Sequence, residues 1–311
     1  MRIVFMGTPE FAVPSLQALI DHDYQVVGVF TQPDRPAGRG NRVIEPPIKQ
    51  LAGRYAIPVY QFERVRRPEG IEAMQALSPD LIITAAFGQI LPQKLLDIPP
   101  MGTINVHASL LPKHRGAAPI NWSIIEGDIW CGVTTMQTDA GLDTGHMLLR
   151  KKRKIRPDET AGELTDRMAQ LGAELLIETL KALDQGDIKP IRQRKYRASY
   201  QPMLNKQVGK IDFTQSPAQV VNLVRGVNPW PGAFAMLPEG TLKVWQAKVS
   251  DCDLPGKPGE VLVSSAKQGL IVRCGDGAIE LIEIQAPNAK RMHAKAYLMG
   301  KTIEVGTVLN G

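Results

Sequence analysis

The 311-residue chain contains little cysteine and no long apolar run. Its three cysteines, Cys131, Cys252 and Cys274, stand far apart without a Cys-x-x-Cys pair, so neither a disulfide framework nor a zinc ribbon is indicated. We therefore expect a reducing, cytoplasmic setting. No stretch of about 18 apolar residues occurs, which argues against a membrane span. The apolar start of the chain is too short for a signal peptide and predicts a first strand instead.

Signatures of common nucleotide cofactors and of metals are missing as well. Gly7-Thr8-Pro9 follows the first predicted strand, but it lacks the three glycines of the dinucleotide fingerprint, and no Walker lysine loop occurs. These absences weaken the case for NAD or ATP. The histidines show no metal-ligand spacing, so we expect no metal.

The overall composition is that of a globular protein. Apolar residues make up 43% and charged residues 22%, which excludes disorder, collagen and coiled coil for the chain as a whole. The formal net charge of +6 weakly favours polyanionic partners, since many enzymes are mildly basic.

The first half of the chain alternates short apolar runs with segments of helical periodicity. The runs are nearly continuous, as expected for parallel strands buried on both faces. Candidate strands are residues 3–6, 26–30, 58–60, 81–84 and 104–107, followed by 132–136 and 147–149, and candidate helices are 11–20 and 47–55. Strands separated by helices form βαβ units, so we predict an α/β fold with a doubly wound, mostly parallel sheet.

The second half of the chain has a different hydrophobic pattern. Thr160 and Glu163 have the spacing of a capping box, and an apolar face from Leu164 to Leu183 predicts a long helix after it. Another helix is expected at 216–225. Short alternating runs then follow at 242–249, 260–263, 270–273 and 279–284. Such runs, separated by Gly and Pro, predict a small β-barrel. We place a first domain at 1–190, a linker at 191–207 and a second domain at 208–311.

Asn105 and His107 lie at the end of a predicted buried strand. Residues two apart share one face of a strand, so the amide and the imidazole point the same way. Open α/β sheets place their active sites at the carboxyl ends of their strands. The alternative is a buried polar pair satisfied by backbone groups, and the neighbouring segments favour a site.

Two neighbouring segments could complete that site. Residues 109–119 combine apolar residues, a proline, a basic pair and small residues, which suits a loop lining a flat aromatic ligand, although an ordinary strand-to-helix connection would also fit. In the turn at 138–145, Asp143 could orient His107 or share a proton with it. Its alternative role is an Asx turn, which is common for Asp near Gly.

Basic residues concentrate in three segments. Residues 34–42 form a basic loop with two glycines, and six of the seven residues at 150–156 are basic. A further cluster contains Arg192, Arg194, Lys195 and Arg197. Such segments could contact a phosphate-bearing substrate through counterion release, or they could be solvated surface.

These motifs together resemble those of the formyltransferases that use 10-formyltetrahydrofolate, and most closely those of the methionyl-tRNA formyltransferase family. The resemblance runs through the whole chain and rests on residues 7–12 (GTPEFA), 31–40 (TQPDRPAGRG), 105–112 (NVHASLLP), 115–120 (RGAAPI), 141–145 (GLDTG) and 228–232 (NPWPG). The Asn-x-His and Leu-Asp-Thr-Gly motifs belong to the wider superfamily, whereas the loop at 35–40 and the Asn-Pro-Trp-Pro element point to the tRNA enzymes.

The resemblance implies a Rossmann-like catalytic domain, a linker and a smaller, OB-like, tRNA-binding barrel. It also implies transfer of a formyl group from 10-formyltetrahydrofolate to the α-amino group of methionyl initiator tRNA, for translation initiation. Asn105, His107 and Asp143 are then the catalytic residues. Asn105 would donate to the oxyanion of the tetrahedral intermediate, His107 would add charge stabilisation or move a proton, and Asp143 would hold the imidazole.

The same resemblance assigns the binding residues. The folate is expected at Ser109, Leu110, Leu111 and Pro112, with a cis Leu111–Pro112 peptide bond. The candidate tRNA contacts are Arg35, Arg39, Arg42, Lys151, Lys152, Arg153 and Lys154. We expect the loop at 34–42 to be poorly ordered without tRNA and to close over the acceptor end when tRNA binds. The expected partners are charged initiator tRNA and folate, with no membrane, and the chain is expected to act as a monomer.

Two other functions stay open. The first is a formyltransferase acting on another amine, such as glycinamide ribonucleotide or an amino-sugar nucleotide, and the predicted barrel argues against it. The second is a non-catalytic RNA-binding module, and the complete set of Asn105, His107 and Asp143 argues against that.

Overall fold

A computed structural model describes residues 1–37 and 42–310. The chain divides into two compact units, each assembled from three stretches. The first unit contains Met1–Gly116, Cys131–Arg153 and Thr165–Gln201. The second contains Ala117–Trp130, Lys154–Leu164 and Pro202–Gly311. The domain boundaries placed at 190 and 208 stay predictions.

The secondary structure alternates strands and helices first and becomes strand-rich later. The strands are β1 (Arg2–Gly7), β2 (Gln25–Thr31), β3 (Arg35–Ala37), β4 (Arg42–Ile44), β5 (Val59–Gln61), β6 (Leu81–Ala85), β7 (Thr103–His107), β8 (Arg115–Gly116), β9 (Trp130–Gln137), β10 (Met147–Lys154), β11 (Tyr200–Gln201), β12 (Ala233–Leu237), β13 (Gly240–Ser250), β14 (Val261–Ser265), β15 (Gly269–Arg273), β16 (Ala278–Gln285) and β17 (Met292–His293). The helices are α1 (Val13–Asp21), α2 (Pro47–Arg54), α3 (Pro68–Leu77), α4 (Gln93–Leu96), α5 (Pro119–Ile125), α6 (Ala161–Asp184), α7 (Pro217–Gly226) and α8 (Ala294–Tyr297).

A seven-stranded sheet forms the centre of the first unit. Its order is β10-β9-β7-β6-β1-β2-β5. The pairs from β7 to β5 are parallel, and β7 pairs antiparallel with β9. The chain runs outward from β1 to β2 and then returns to β6 on the other side of β1. Such a reversal opens a crevice at the carboxyl ends of the strands, where doubly wound proteins bind their ligands. The predicted α/β class and Rossmann-like sheet are confirmed.

The central strands β1 and β6 are mostly apolar because both faces of the sheet are covered. All five residues of β6 are buried, and so are five of the six in β1. The long helix α6 begins after the predicted capping box. Thr160 N donates to Glu163 Oε2 at 2.9 Å, and Glu163 N donates to Thr160 Oγ1 at 3.3 Å. The bond from Thr160 N, together with one from Thr160 Oγ1 to the same carboxylate at 2.8 Å, lowers the pKa of Glu163, because both favour its ionised form.

The second unit contains a closed antiparallel sheet. Its strand order is β12-β13-β16-β15-β14, and β17 pairs with β16. The last residues of the chain bond to both edges. Met236 of β12 pairs with Asn310, and Glu260, just before β14, pairs with Val308. Closure removes the unpaired edges, as in an OB-like barrel, and the predicted small barrel is confirmed.

Most predicted elements are present, with three informative differences. The first helix begins with a 3-10 turn at Glu10–Ala12, and α1 starts only at Val13 with a proline in its first turn. The segment predicted as a loop at 34–42 contains the short β3–β4 ladder. The strand β12 was not predicted. Among the residues that the structure describes, no helix is both long enough and apolar enough to span a membrane.

Candidate active site

The site lies in the first unit, at the carboxyl ends of β6 and β7. Thr84 and Asn105 occupy paired positions on these strands, and Thr84 Oγ1 donates to Asn105 Oδ1 at 3.0 Å. Because the amide oxygen accepts this bond, the amide nitrogen is the atom that can donate to a ligand. His107 lies two residues further along β7, on the same face of the strand.

His107 is buried between two acceptors. Its Nε2 lies 3.0 Å from the carbonyl oxygen of His114, and its Nδ1 lies 3.7 Å from Asp143 Oδ1. A carbonyl only accepts, so Nε2 carries a proton in this arrangement. The carboxylate on the other side can stabilise a positive imidazole, which is the relationship expected of a base that moves a proton.

Asp143 is held by backbone groups. Its Oδ2 accepts a hydrogen bond from Gly116 N at 2.7 Å, and its own backbone adopts a left-handed conformation with φ 52°. The Asx chemistry in this turn belongs to Asp139 instead. Asp139 Oδ1 accepts from Gly141 N at 3.1 Å and from Thr144 Oγ1 at 2.6 Å. Asp139 thus closes the turn, and Asp143 faces His107.

Gly116 occupies a position that other residues disfavour. Its φ is +92°, and a Cβ there would lie 2.7 Å from the carbonyl oxygen of Gln201. The close approach arises because β8 pairs in parallel with β11, so that Tyr200 and Gln201 lie against Arg115 and Gly116. The ladder holds the backbone N–H of Gly116 where it meets Asp143.

The loop predicted to hold the folate is fixed by hydrogen bonds to the sheet. Ser109 and Leu111 are fully buried, whereas Leu110 and Pro112 are partly exposed. Thr134 Oγ1 donates to Ser109 O at 2.7 Å and lies 3.2 Å from Leu111 N. The Leu111–Pro112 peptide bond is cis, as predicted.

Arg150 also braces this loop. Its Nη1 donates to the Leu111 carbonyl at 3.0 Å, which gives the first residue of the basic run at 150–156 a defined role. Leu111 itself packs in a small cluster with Met136 and Met147. The loop is therefore fixed by packing and by a charge-assisted bond.

The predicted tRNA contacts lie in two places. Arg35 is 61% exposed and forms a 2.7 Å ion pair with Glu63, next to the β3–β4 ladder. Arg39 lies outside the described residues, as does the side chain of Arg42, so the predicted disorder and closure of their loop stay predictions. Lys151, Lys152, Arg153 and Lys154 lie on β10, the edge strand of the sheet.

The edge strand β10 is mostly exposed along its basic part. Lys152, Arg153 and Lys154 are exposed, and Lys151 pairs with Glu178 of α6. Lysines on an edge strand also discourage pairing with other chains, so their position fits both alternatives that the sequence left open.

The base of the β3–β4 ladder is anchored by Asp34. Lys49 Nζ donates to Asp34 Oδ2 at 2.6 Å, and Gln61 Nε2 donates to Asp34 Oδ1 at 2.7 Å. These bonds lower the pKa of Asp34 and raise that of Lys49. Because the lowered pKa favours the folded state above the ordinary pKa of an aspartate, the anchor persists at neutral pH and weakens only as the pH falls through the lowered value.

Sequence reasoning missed several residues that support the site. Thr84, Thr134 and Gln193 contact site residues from other strands or from distant segments. Only the general rule that polar residues gather at strand ends could have indicated Thr84. The sequence holds no local signal for Gln193, because its contacts reach residues 48 to 78 positions away.

Two family models match the chain in succession. One, described as formyl transferase, matches residues 1–180, and the other, described as formyl transferase, C-terminal domain, matches residues 203–302. With the doubly wound sheet and the Asn-x-His site, these matches define an enzyme of the formyltransferase class.

Curated relatives narrow the class. The methionyl-tRNA formyltransferase of Trichlorobacter lovleyi is 50% identical over 308 residues, covering 99% of this chain and 96% of its own length. That of Acetivibrio thermocellus is 49% identical over 309 residues, covering 99% of each chain. The chain belongs to the methionyl-tRNA formyltransferase family.

Solved structures share the fold at lower identity. WlaRD, a sugar 3N-formyl transferase crystallised in the presence of dTDP and 5-N-formyl-THF, is 18% identical, with a TM-score of 0.67 over 93% of this chain and 99% of its own. HypX from Aquifex aeolicus, in complex with tetrahydrofolic acid, is 20% identical with a TM-score of 0.61. The match covers 96% of this chain but 47% of HypX, so the chain spans about half of that protein.

Proposed function

We propose that the chain transfers the formyl group of 10-formyltetrahydrofolate to the α-amino group of methionine on charged initiator tRNA. The observation that carries this proposal is the placement of Asn105, His107 and Asp143 at one point of the carboxyl edge, beside the braced loop at 109–112. Family membership at about 50% identity supports the choice of substrate.

The reaction explains why these residue types are needed. The amine nitrogen attacks the formyl carbon, and a C–N bond forms while the carbonyl oxygen becomes negatively charged. Asn105 donates its amide N–H to this oxygen, and a single donor of this kind is typically worth about 3–4 kcal/mol of the barrier. The bond between the formyl carbon and the folate nitrogen then breaks.

One proton must move in the same reaction. The attacking amine loses it, and the departing folate nitrogen gains it. We assign this transfer to the imidazole of His107, and Asp143 stabilises the imidazole when it holds the proton. In the neighbouring loop, Leu110 and Pro112 offer partly exposed apolar surfaces to the pteridine ring. The buried residues Ser109 and Leu111 anchor this loop to the sheet. The mechanism requires no metal, because the formyl donor is already activated.

The tRNA is proposed to contact the basic residues at 35–42 and 151–154, and the OB-like barrel. Barrels of this kind bind nucleic acids in basic grooves. We further propose that the enzyme acts in the cytoplasm as a monomer, which sedimentation at several concentrations would test.

A substrate panel tests the proposal directly. Labelled formyl donor is incubated with charged initiator tRNA, with glycinamide ribonucleotide and with an amino-sugar nucleotide. We expect transfer to the charged tRNA alone. Transfer to a small amine would support the alternative formyltransferase, and tRNA binding without any transfer would support the non-catalytic module.

A further inference from the structure

A single buried amide connects the Asp143 turn with the segment that precedes α5. Gln193 belongs to the basic cluster at 192–197, where every other residue is exposed. Its residue exposure is 5%, and it lies in the segment that the sequence assigned to a linker. A buried amide among exposed charges needs hydrogen-bond partners on both of its polar atoms.

Those partners belong to two different parts of the site. The oxygen Oε1 accepts from Arg115 Nε at 3.0 Å and from Arg115 Nη2 at 2.8 Å. The nitrogen Nε2 donates to the backbone oxygens of Asp143 and Gly145, both at 2.8 Å. A guanidinium only donates and a carbonyl only accepts, so the orientation of the amide is determined and both of its ends are used.

Arg115 is itself fixed. It is 3% exposed, its Nη1 donates to the hydroxyl of Tyr200 at 2.7 Å, and its guanidinium carbon lies 5.4 Å from the centroid of that ring. Its backbone N donates to Ser199 O at 2.8 Å. A buried guanidinium is stable only when its N–H groups are hydrogen-bonded. Arg115 is therefore a rigid partner for the side-chain amide of Gln193.

We propose that Gln193 is a positioning residue for formyl transfer. By bridging Arg115 and the backbone of the Asp143 turn, it fixes the Asp143 carboxylate between the Gly116 N–H and the imidazole of His107. The inference rests on the proposed function, because positioning has a kinetic meaning only if Asp143 serves that reaction. Gln193 acts through Asp143 and does not touch the reacting atoms.

The substitution Gln193→Glu isolates this role. It keeps the size of the side chain and the acceptor for Arg115, but it removes both N–H donors and places an oxygen against two carbonyl oxygens. We expect kcat to fall about tenfold to a hundredfold, while KM for each substrate stays within about threefold. As a matched control, Gln89→Glu also removes a side-chain N–H bond to a backbone oxygen, that of Phe62 at 2.9 Å, while the acceptor for Val65 N is kept, and it should leave kcat unchanged.

A double-mutant cycle separates positioning from general stability. In an Asp143→Ala background, Gln193→Glu should lower kcat less than about twofold further, because the group through which it acts is gone. Full multiplication of the two losses would overturn the proposal. If Gln193→Glu does not fold, Gln193→Met, which has similar length and no acceptor to repel the carbonyls, is used in the same cycle.

Hydrogen exchange gives a readout that does not depend on catalysis. The Gly116 amide donates to Asp143 Oδ2 at 2.7 Å, so release of the turn should speed its exchange at least about tenfold, with the amides of β1 and β6 unchanged. Unchanged exchange at Gly116 would overturn the positioning role even if the enzyme is active. Absence of transfer by the unsubstituted chain would instead count against the proposed function, and the exchange measurement would still decide the role of Gln193.

Discussion

At the scale of single residues, the site depends on which polar atoms of each side chain bond to the protein and which are left to bind a ligand. Asn105 uses its oxygen to accept from Thr84, which directs its donors to the ligand. His107 uses Nε2 toward a backbone carbonyl, so the imidazole is held at a fixed angle while its other nitrogen faces Asp143. Each group is thus oriented before substrate arrives, which is the condition for strong stabilisation of developing charge.

This orientation predicts the effect of removing each group. Asn105→Ala, His107→Ala and Asp143→Ala should each lower kcat by at least roughly a hundredfold. Circular dichroism and the thermal midpoint serve as the controls for folding. If His107→Ala kept near-normal kcat at saturating substrates, the assignment of that residue would be wrong.

The cysteines allow a second test at the residue scale. Burial raises the pKa of Cys274 to about 12, and Cys131 is also buried, whereas Cys252 is half-buried. The thiolate is the reactive form, so a raised pKa leaves Cys274 almost entirely protonated at neutral pH. We expect native-state alkylation at pH 8 to modify Cys252 first, with the other two reacting only after denaturation. Peptide mapping by mass spectrometry reports the order, and early labelling of Cys274 would contradict it.

At the scale of elements, the site is assembled from loops that follow neighbouring strands and from one returning segment. The strands themselves were predictable, because continuous apolar runs such as β6 have few other solutions in an α/β chain. The shared face of Asn105 and His107 also followed from the two-residue period of a strand. The pairing of β11 with β8 could not be predicted in this way, since such a ladder depends on a contact between residues 85 positions apart.

The loop at 109–112 provides a prediction about folate. Arg150 donates to Leu111 O at 3.0 Å, and a charge-assisted bond of this kind is worth about 1.5–3 kcal/mol. Arg150→Gln should therefore raise KM for 10-formyltetrahydrofolate about tenfold, with little change in KM for charged tRNA. For the folate KM, Arg153→Gln, which removes the same charge from the same strand, is the matched control and should leave that KM unchanged. Equal changes toward both substrates would show that Arg150 acts by general charge.

The β3–β4 ladder leads to the corresponding prediction for tRNA. In the sequence, Arg39 stands between two glycines in the stretch that joins β3 to β4, and it lies outside the described residues. Arg39→Ala should lower kcat/KM for charged initiator tRNA by about 1–3 kcal/mol, the scale of a lost charge-assisted contact. Folate affinity should barely change. Arg35→Ala should lose less, because Arg35 already pairs with Glu63. A loop whose charge serves only solubility would show no loss in either case.

At the scale of the whole molecule, the second unit illustrates what a sequence leaves open. Four of its strands and its barrel form were predicted from short alternating apolar runs, but the segment that closes the barrel was not. The closure depends on single bridges from Val308 and Asn310 to residues about 50 to 75 positions earlier, and such short pairings leave no period in the sequence. The sequence also did not predict that each unit is assembled from three separate stretches of the chain. Apolar patterns identify which faces are buried, but they do not identify the element that covers each face.

The charge of the whole chain leads to the last prediction. With a net charge of +6 and basic residues at 35–42 and 151–154, association with a polyanion should release counterions. A plot of log KM for charged tRNA against log salt concentration should therefore rise steeply, whereas KM for the small folate should change little. If Arg153 contacts a phosphate, Arg153→Gln should reduce the slope by about one. Lys181→Gln, in the last turn of α6, removes the same charge and should leave the slope unaltered. Equal slopes for both variants and the unsubstituted chain would show that the basic edge strand β10 serves the sheet and does not bind tRNA.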